Sequence, residues 1–173
     1  SYTGEVLKTT EDSYTVAEIS SFQLETVHEF HPVVSAILNI TPDHLNRHHT
    51  MECYSHTKER IAKNQNKSDV CVLNMEDEEL YRFGKECSAS VVWFSSRRKP
   101  CKGAYLDGNN IRYTDGVTDK IMLNVHDMNL LGTHNYENVC AAIAMTKAVG
   151  IPDDIIIEQI KNFKAVEHRI EYV

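Results

Sequence analysis

"VVSAILNITPDH", Val33–His44, decides how the rest of the chain is read. Its first eight residues are nearly all apolar, with no polar–apolar alternation. A parallel strand covered by helices on both faces needs such a run. Pro42 ends it, because proline offers no N–H and fixes φ. Open parallel sheets bind ligands at the carboxyl ends of their strands. Asp43 and His44 follow at that position.

Outward from this strand the same texture repeats. Residues 13–19, "SYTVAEI", are β-branched and aromatic and predict a strand. Residues 21–29 predict a short helix with Phe22, Val27 and Phe30 available to pack. Residues 51–64 predict a helix carrying Tyr54, Thr57 or Lys58, and Ile61 at helical spacing. Then come a strand at 70–73, a helix at 77–87 with Leu80, Phe83 and Cys87 on one face, and a strand at 90–94. This alternation implies an α/β fold, a doubly wound, mostly parallel sheet flanked by helices.

Further along, "RRKPC" (97–101) reads as a basic, solvated link. "AYLDGNNIRYTDG" carries turn residues between two short alternating runs, a hairpin signal, and "KIMLNV" adds a third strand. Residues 103–125 are thus expected to form a small antiparallel sheet attached to the main one. "THNYENVCAAIAMTKAVG" predicts a helix capped by Thr133 or Asn135 and ended by Gly150. Its expected buried stripe is Val139, Ala142, Ile143 and Thr146. Pro152 opens another helix, and "HRIEYV" at the end reads as a strand.

Composition narrows the function. The 173 residues suit one domain, and a net charge of −7 argues against a grip on nucleic acid or anionic lipid. No apolar run approaches the roughly 20 residues of a membrane span. The five cysteines are scattered with no CxxC, which favours reduced thiols in a cytoplasmic protein.

Glu18 ends the first expected strand and His44 follows the second, so both are expected at the carboxyl edge. A carboxylate and an imidazole there can share a hard cation, with Asp43 and Asn46 as further oxygen donors. Lys58, on the next helix, is an odd neighbour for a metal; it would bind a shared anion or be chemically modified. The plainer alternative leaves each of these as a solvated side chain. Four histidines fall between His44 and His56; His48, His49 and His56, with His28 and His31, are expected to be exposed. Zinc fits poorly, since no HExxH is present and no cysteine stands at ligand spacing from the histidines.

"VAEISSFQLE", "ILNITPDHLNRH", "YSHTKERI", "LLGTHNYENVCAAIA" and "EHRIEYV" occur in this order. Together they resemble the central, ATP-using domain of the Mur ligases over nearly the whole chain, and "SSFQLE" resembles the D-glutamate-adding branch. The resemblance implies ATP and Mg2+ as cofactors. Glu18 and His44 resemble the family's magnesium ligands, and Lys58 resembles the lysine that the family carbamylates. A carbamate turns the cation into an oxygen anion, the ligand type magnesium demands. Asn135 and Asn138 resemble residues near the adenine, and Arg169 the arginine that meets the nucleotide. Ser20, Ser21 and Gln23 match the string beside the muramoyl substrate. One departure is Asn46, where the family often has aspartate.

The implied substrates are UDP-N-acetylmuramoyl-L-alanine and D-glutamate, with the enzyme acting as a cytoplasmic monomer. The alternatives are another Mur ligase, a folylpolyglutamate synthetase, or a binding module that kept the fold without activity. The family's phosphate loop ends in GKT or GKS, and none of the seven glycines here lies in GxxxxGK. The chain is therefore expected to be a P-loop-type ATPase domain lacking its first βα unit. The uridine-binding domain is expected upstream and the D-glutamate-binding domain downstream.

Overall fold

The computed structural model describes residues 9–164. Six strands form one sheet in sequence order. They are β1 (Val34–Ile37), β2 (Val70–Asn74), β3 (Ser90–Ser95), β4 (Gly103–Asp107), β5 (Asn110–Thr114) and β6 (Asp119–Asn124). The β1–β2, β2–β3 and β3–β4 pairs are parallel. The β4–β5 and β5–β6 pairs are antiparallel. The expected small antiparallel sheet is thus the continuation of the main one through β4. The helices are α1 (Ser21–Leu24), α2 (Leu45–His48), α3 (Met51–Glu59), α4 (Glu78–Glu86), α5 (Thr133–Ala148) and α6 (Asp153–Asn162).

Side chains alternate across a strand, and that alternation divides the core in two. Val72 of β2, with Val92 and Phe94 of β3, packs against Val139, Cys140, Ile143 and Ala144 of α5. Cys71, Leu73 and Trp93 point to the opposite face and pack with Tyr54 of α3 and Leu80 of α4. Both faces are therefore apolar, which explains the unbroken hydrophobic runs. Each fully buried Leu or Phe contributes about 1.5–3 kcal/mol, and Leu73, Leu80 and Phe94 are among the most buried side chains.

Two glycines are dictated by close approach. A Cβ on Gly84 of α4 would lie 2.3 Å from Cη2 of Trp93. Gly103, with φ +143°, brings β4 so close to β3 that a Cβ would meet the Trp93 carbonyl oxygen at 1.7 Å.

Several expectations are corrected. Residues 13–19 form no strand and are almost entirely exposed, because β propensity needs a neighbouring ladder and none of the described residues supplies one. The stretch 97–101 is the expected exposed link at Arg97, Arg98, Lys99 and Cys101, but it is anchored at both ends. Pro100 is fully buried, and Ser95 Oγ accepts from the Arg97 and Arg98 N–H groups at 3.0 and 2.9 Å. Neither Thr133 nor Asn135 caps α5: Gly132 is its N-cap, and Asn135 Nδ2 donates backward to the Leu131 carbonyl. The α5 stripe lies about one residue round from the expected one, with Cys140 and Ala144 inside and Ala142 exposed. A 3.6-residue period admits both placements, and packing on the sheet selects one. The strand read in "HRIEYV" lies outside the described residues.

Candidate active site at the carboxyl edge of the sheet

The loop that leaves β1 is tied down residue by residue. Asn74, the last residue of β2, donates through Nδ2 to the Leu38 carbonyl at 3.1 Å. Lys58 Nζ donates to the Asn39 carbonyl at 3.0 Å. Asp77 Oδ2 accepts from the Ile40 N–H at 2.7 Å while its Oδ1 caps α4 through the Leu80 N–H at 3.1 Å. Three elements thus hold the backbone that delivers Asp43 and His44.

His44 has left-handed helical backbone, φ 52° and ψ 27°, and His49 also has positive φ, 66°, with ψ −41°. Such conformations cost non-glycine residues about 1–2 kcal/mol and concentrate where surrounding structure over-determines them, functional sites included. The strain at His44 is offset in part because Asp43 Oδ1 accepts its N–H at 2.8 Å. The His44 ring is half exposed, with Nε2 at 3.4 Å from Asp43 Oδ2, and it packs 4.8 Å from the Phe22 ring.

Lys58 is half-buried and lies 5.4 Å over the Tyr54 ring. Burial pushes its pKa down, while the charges of Asp77 and Asp43 act to raise it. The Tyr54 phenol is raised, chiefly by burial and secondarily by Asp43.

The "SSFQLE" string forms α1 with a complete capping box. Ser20 accepts from the Gln23 N–H, and Gln23 Oε1 accepts from the Ser20 N–H at 2.8 Å. Ser20 and Gln23 are exposed. Ser21 turns inward, with Oγ at 3.0 Å from His48 Nε2. His48 is only 3% exposed, which corrects its reading as a solvated residue; His28, His31, His49 and His56 are exposed. Arg47 donates to both oxygens of Glu25 at 2.8 and 2.6 Å, and this guanidinium holds the Glu25 carboxyl below its ordinary pKa.

Glu18 is exposed and has no hydrogen-bond or ion-pair partner among the described residues. No three His, Cys, Asp or Glu side chains among those residues stand close enough to hold a metal ion. Ser96, just after β3, donates to Glu137 of α5 at 2.5 Å. That bond brings the first turns of α5, and with them Asn135 and Asn138, to the same edge of the sheet. Asn138 is exposed beside an open apolar groove of about 390 Å³ between α5 and α6, lined also by Leu130, Ala142, Ile155 and Ile160. Arg169 lies outside the described residues.

A family model described as the Mur ligase middle domain matches residues 3–146. The chain belongs to the Mur ligase family. It is 81% identical over 173 residues to the UDP-N-acetylmuramoylalanine--D-glutamate ligase of Lachnospira eligens, covering 100% of this chain and 38% of that protein. It is 51% identical over 172 residues to the enzyme of the same name from Lachnoclostridium phytofermentans, covering 99% of this chain and 38% of that protein. The chain thus spans well under half the length of these two relatives. A solved UDP-N-acetylmuramoyl-L-alanyl-D-glutamate--2,6-diaminopimelate ligase superposes with a TM-score of 0.66 at 20% identity, covering 90% of this chain and 33% of that one. At that identity the likeness speaks for the fold.

Within this Mur ligase domain the donor types suit magnesium in part: Glu18 offers exposed oxygens and His44 an exposed ring nitrogen. Lys58 as an ammonium offers no donor. It becomes a ligand only with a carbamate on Nζ, since magnesium takes oxygen donors. Sequence reasoning missed Asp77, Asn74 and His48 as supports of this candidate site. Asp77 opens an expected helix, so its capping role was readable, but its hold on Ile40 crosses 37 residues. The burial of His48 depends on a serine 27 residues away, and its place in "DHLNRH" was the only available signal.

Proposed function

We propose that the chain is the central domain of an ATP-dependent ligase that adds D-glutamate to UDP-N-acetylmuramoyl-L-alanine in peptidoglycan precursor synthesis. The observation that carries this reading is 81% identity along the whole chain to an enzyme of that name. Sequence outside these 173 residues supplies the phosphate loop, the uridine-binding domain and the domain that binds D-glutamate. Support comes from the 38% share of the relative that the chain spans and from the lack of any GxxxxGK in it. The enzyme acts as a cytoplasmic monomer, in keeping with its free cysteines. No described helix is long and apolar enough to cross a membrane.

A carboxylate is a poor electrophile because its leaving oxygen is basic. In the proposed reaction the L-alanine carboxylate is phosphorylated to an acyl phosphate, with release of ADP. The amine of D-glutamate then attacks the carbonyl carbon, and the tetrahedral adduct collapses to amide and inorganic phosphate. Catalysis of this kind is mainly positioning and charge stabilisation. His44, Glu18 and carbamylated Lys58 would hold magnesium, which supplies charge neutralisation between nucleotide and carboxylate when bound. Asn135 and Asn138 lie beside the adenine, Arg169 meets the nucleotide, and Ser20 and Gln23 line the muramoyl side. Ser21, turned inward, anchors that turn instead of touching substrate.

The test is a specificity panel on the full-length enzyme. Each UDP-muramoyl precursor is paired with each candidate amino acid, and a folate acceptor is included; ADP release and product mass are measured. Turnover confined to UDP-N-acetylmuramoyl-L-alanine with D-glutamate supports the reading. Preference for another pair, or no turnover with any, rejects it.

A further inference from the structure

We propose that His48 is a positioning residue, a latch that locks the Ser20–Gln23 turn to the Asp43–His44 loop and so sets the substrate side of the site against its metal side. The proposal rests on the reading above for what the two sides bind, but the latch itself stands on geometry.

Both segments are single turns of four residues, Ser21–Leu24 and Leu45–His48. Helices so short do not hold themselves in water, so tertiary contacts must fix their orientation. Arg60 holds the far end of the first turn, donating to the Leu24 and Val27 carbonyls at 2.8 and 3.0 Å, while the contacts between the two turns gather on one imidazole. His48 Nε2 lies 3.0 Å from Ser21 Oγ, in a pair that is buried on both sides. Its ring stacks on Phe22, with centroids 5.9 Å apart and planes 7° from parallel. The opposite wall is Tyr54, 5.2 Å away and tilted. His48 Nδ1 stands 3.8 Å from Glu25 Oε1, too far for a direct hydrogen bond. The Ser21 contact is therefore the ring's one direct hydrogen bond among the described residues. Arg47 closes the outer side, paired with Glu25 and lying 5.2 Å over Phe22.

Phe22 also touches the His44 ring. One phenyl ring therefore meets both His44 and His48. The same buried contact thus orients His44 on one side and the exposed pair Ser20 and Gln23 on the other. Nothing in this arrangement asks His48 to meet substrate.

The experiment uses the full-length enzyme with His48→Phe, which keeps the ring and removes the hydrogen bond, and His48→Gln, which restores a polar partner. For His48→Phe, kcat/KM for the UDP-muramoyl precursor should fall about tenfold, the size of one net hydrogen bond. The loss should sit in the KM for the precursor, with the KM for ATP within about twofold of wild type and His48→Gln recovering most of the deficit. Ser21→Ala should match the loss, and adding it to His48→Phe should cost nothing more, as coupled partners require. Amide hydrogen exchange over residues 20–25 should quicken about tenfold in His48→Phe. Equal rises in every KM without rescue by Gln, or unaltered kinetics in His48→Phe, overturn the positioning role. Unchanged exchange overturns the latch itself, and that readout needs no turnover. A wild-type enzyme inactive on the precursor rejects the proposed function, and exchange then decides the latch separately.

Discussion

Asp77→Ala unties two backbone segments at once. One carboxylate oxygen accepts the Ile40 N–H at 2.7 Å, and the other caps α4 at the Leu80 N–H, 3.1 Å away. Ile40 is 7% exposed and Leu80 0%, so water replaces neither acceptor well. Loss of an N-cap costs about 1 kcal/mol. Loss of a charged acceptor from a buried donor costs about 1.5–3 kcal/mol. The sum is about 2–4 kcal/mol, which for a chain of this size lowers Tm by roughly 5–15 °C. Asp77→Asn keeps one oxygen acceptor but turns an NH2 toward the other N–H, so about half the loss is expected. Urea unfolding with an unchanged m-value measures both variants. A loss below about 0.5 kcal/mol for Asp77→Ala, the ordinary range for a surface change, would refute the idea that Asp77 ties the site loop to α4.

Lys58→Ala in the full-length enzyme should cost about 10²–10³ in kcat, the scale of losing one charge-stabilising group. Tm should fall by only a few degrees, because among the described residues the ammonium's hydrogen bond is to the Asn39 carbonyl alone; added short carboxylic acids should restore part of the rate, and their failure counts against the carbamate. Gly84→Ala should destabilise by about 1–3 kcal/mol through overpacking despite alanine's better helix propensity, because Cη2 of Trp93 stands 2.3 Å from the new Cβ; an equal or higher urea midpoint contradicts this. Asp119 is held at about 2, below its ordinary 3.8, first by Lys99 and then by Tyr105 and Arg112. The stability it adds is therefore complete above about 3.8 and lost as pH falls through about 2. Asp119→Asn should flatten the acid limb of stability in that window, and an unchanged limb in acid titration refutes the assignment.

Elements covered by helices were legible because their apolar runs leave little choice. β1 through β3, α4 and the hairpin follow from run length, caps and turn residues. What escaped was decided by distant partners. Residues 13–19 have a strand's composition, yet no ladder among the described residues receives them. A period of 3.6 residues cannot choose between two α5 stripes one residue apart, and the sheet does. His48 looked like its exposed neighbours because nothing local marks a histidine whose partner lies 27 residues earlier. The left-handed turn at His44 has no sequence mark either. In the candidate site, residue types and order pointed to the edge of the sheet, while the roles came from family resemblance. Geometry then divided Ser21 from Ser20 and Gln23, a distinction the motif string does not carry.

The ligation proposed for this domain activates a carboxylate through phosphorylation. UDP-N-acetylmuramoyl-L-alanine labelled with ¹⁸O in the L-alanine carboxylate tests it most directly, using full-length enzyme, ATP, magnesium and D-glutamate. Transfer of one ¹⁸O atom to inorganic phosphate for each amide formed is the expected result. Amide product accompanied by unlabelled phosphate would contradict the account.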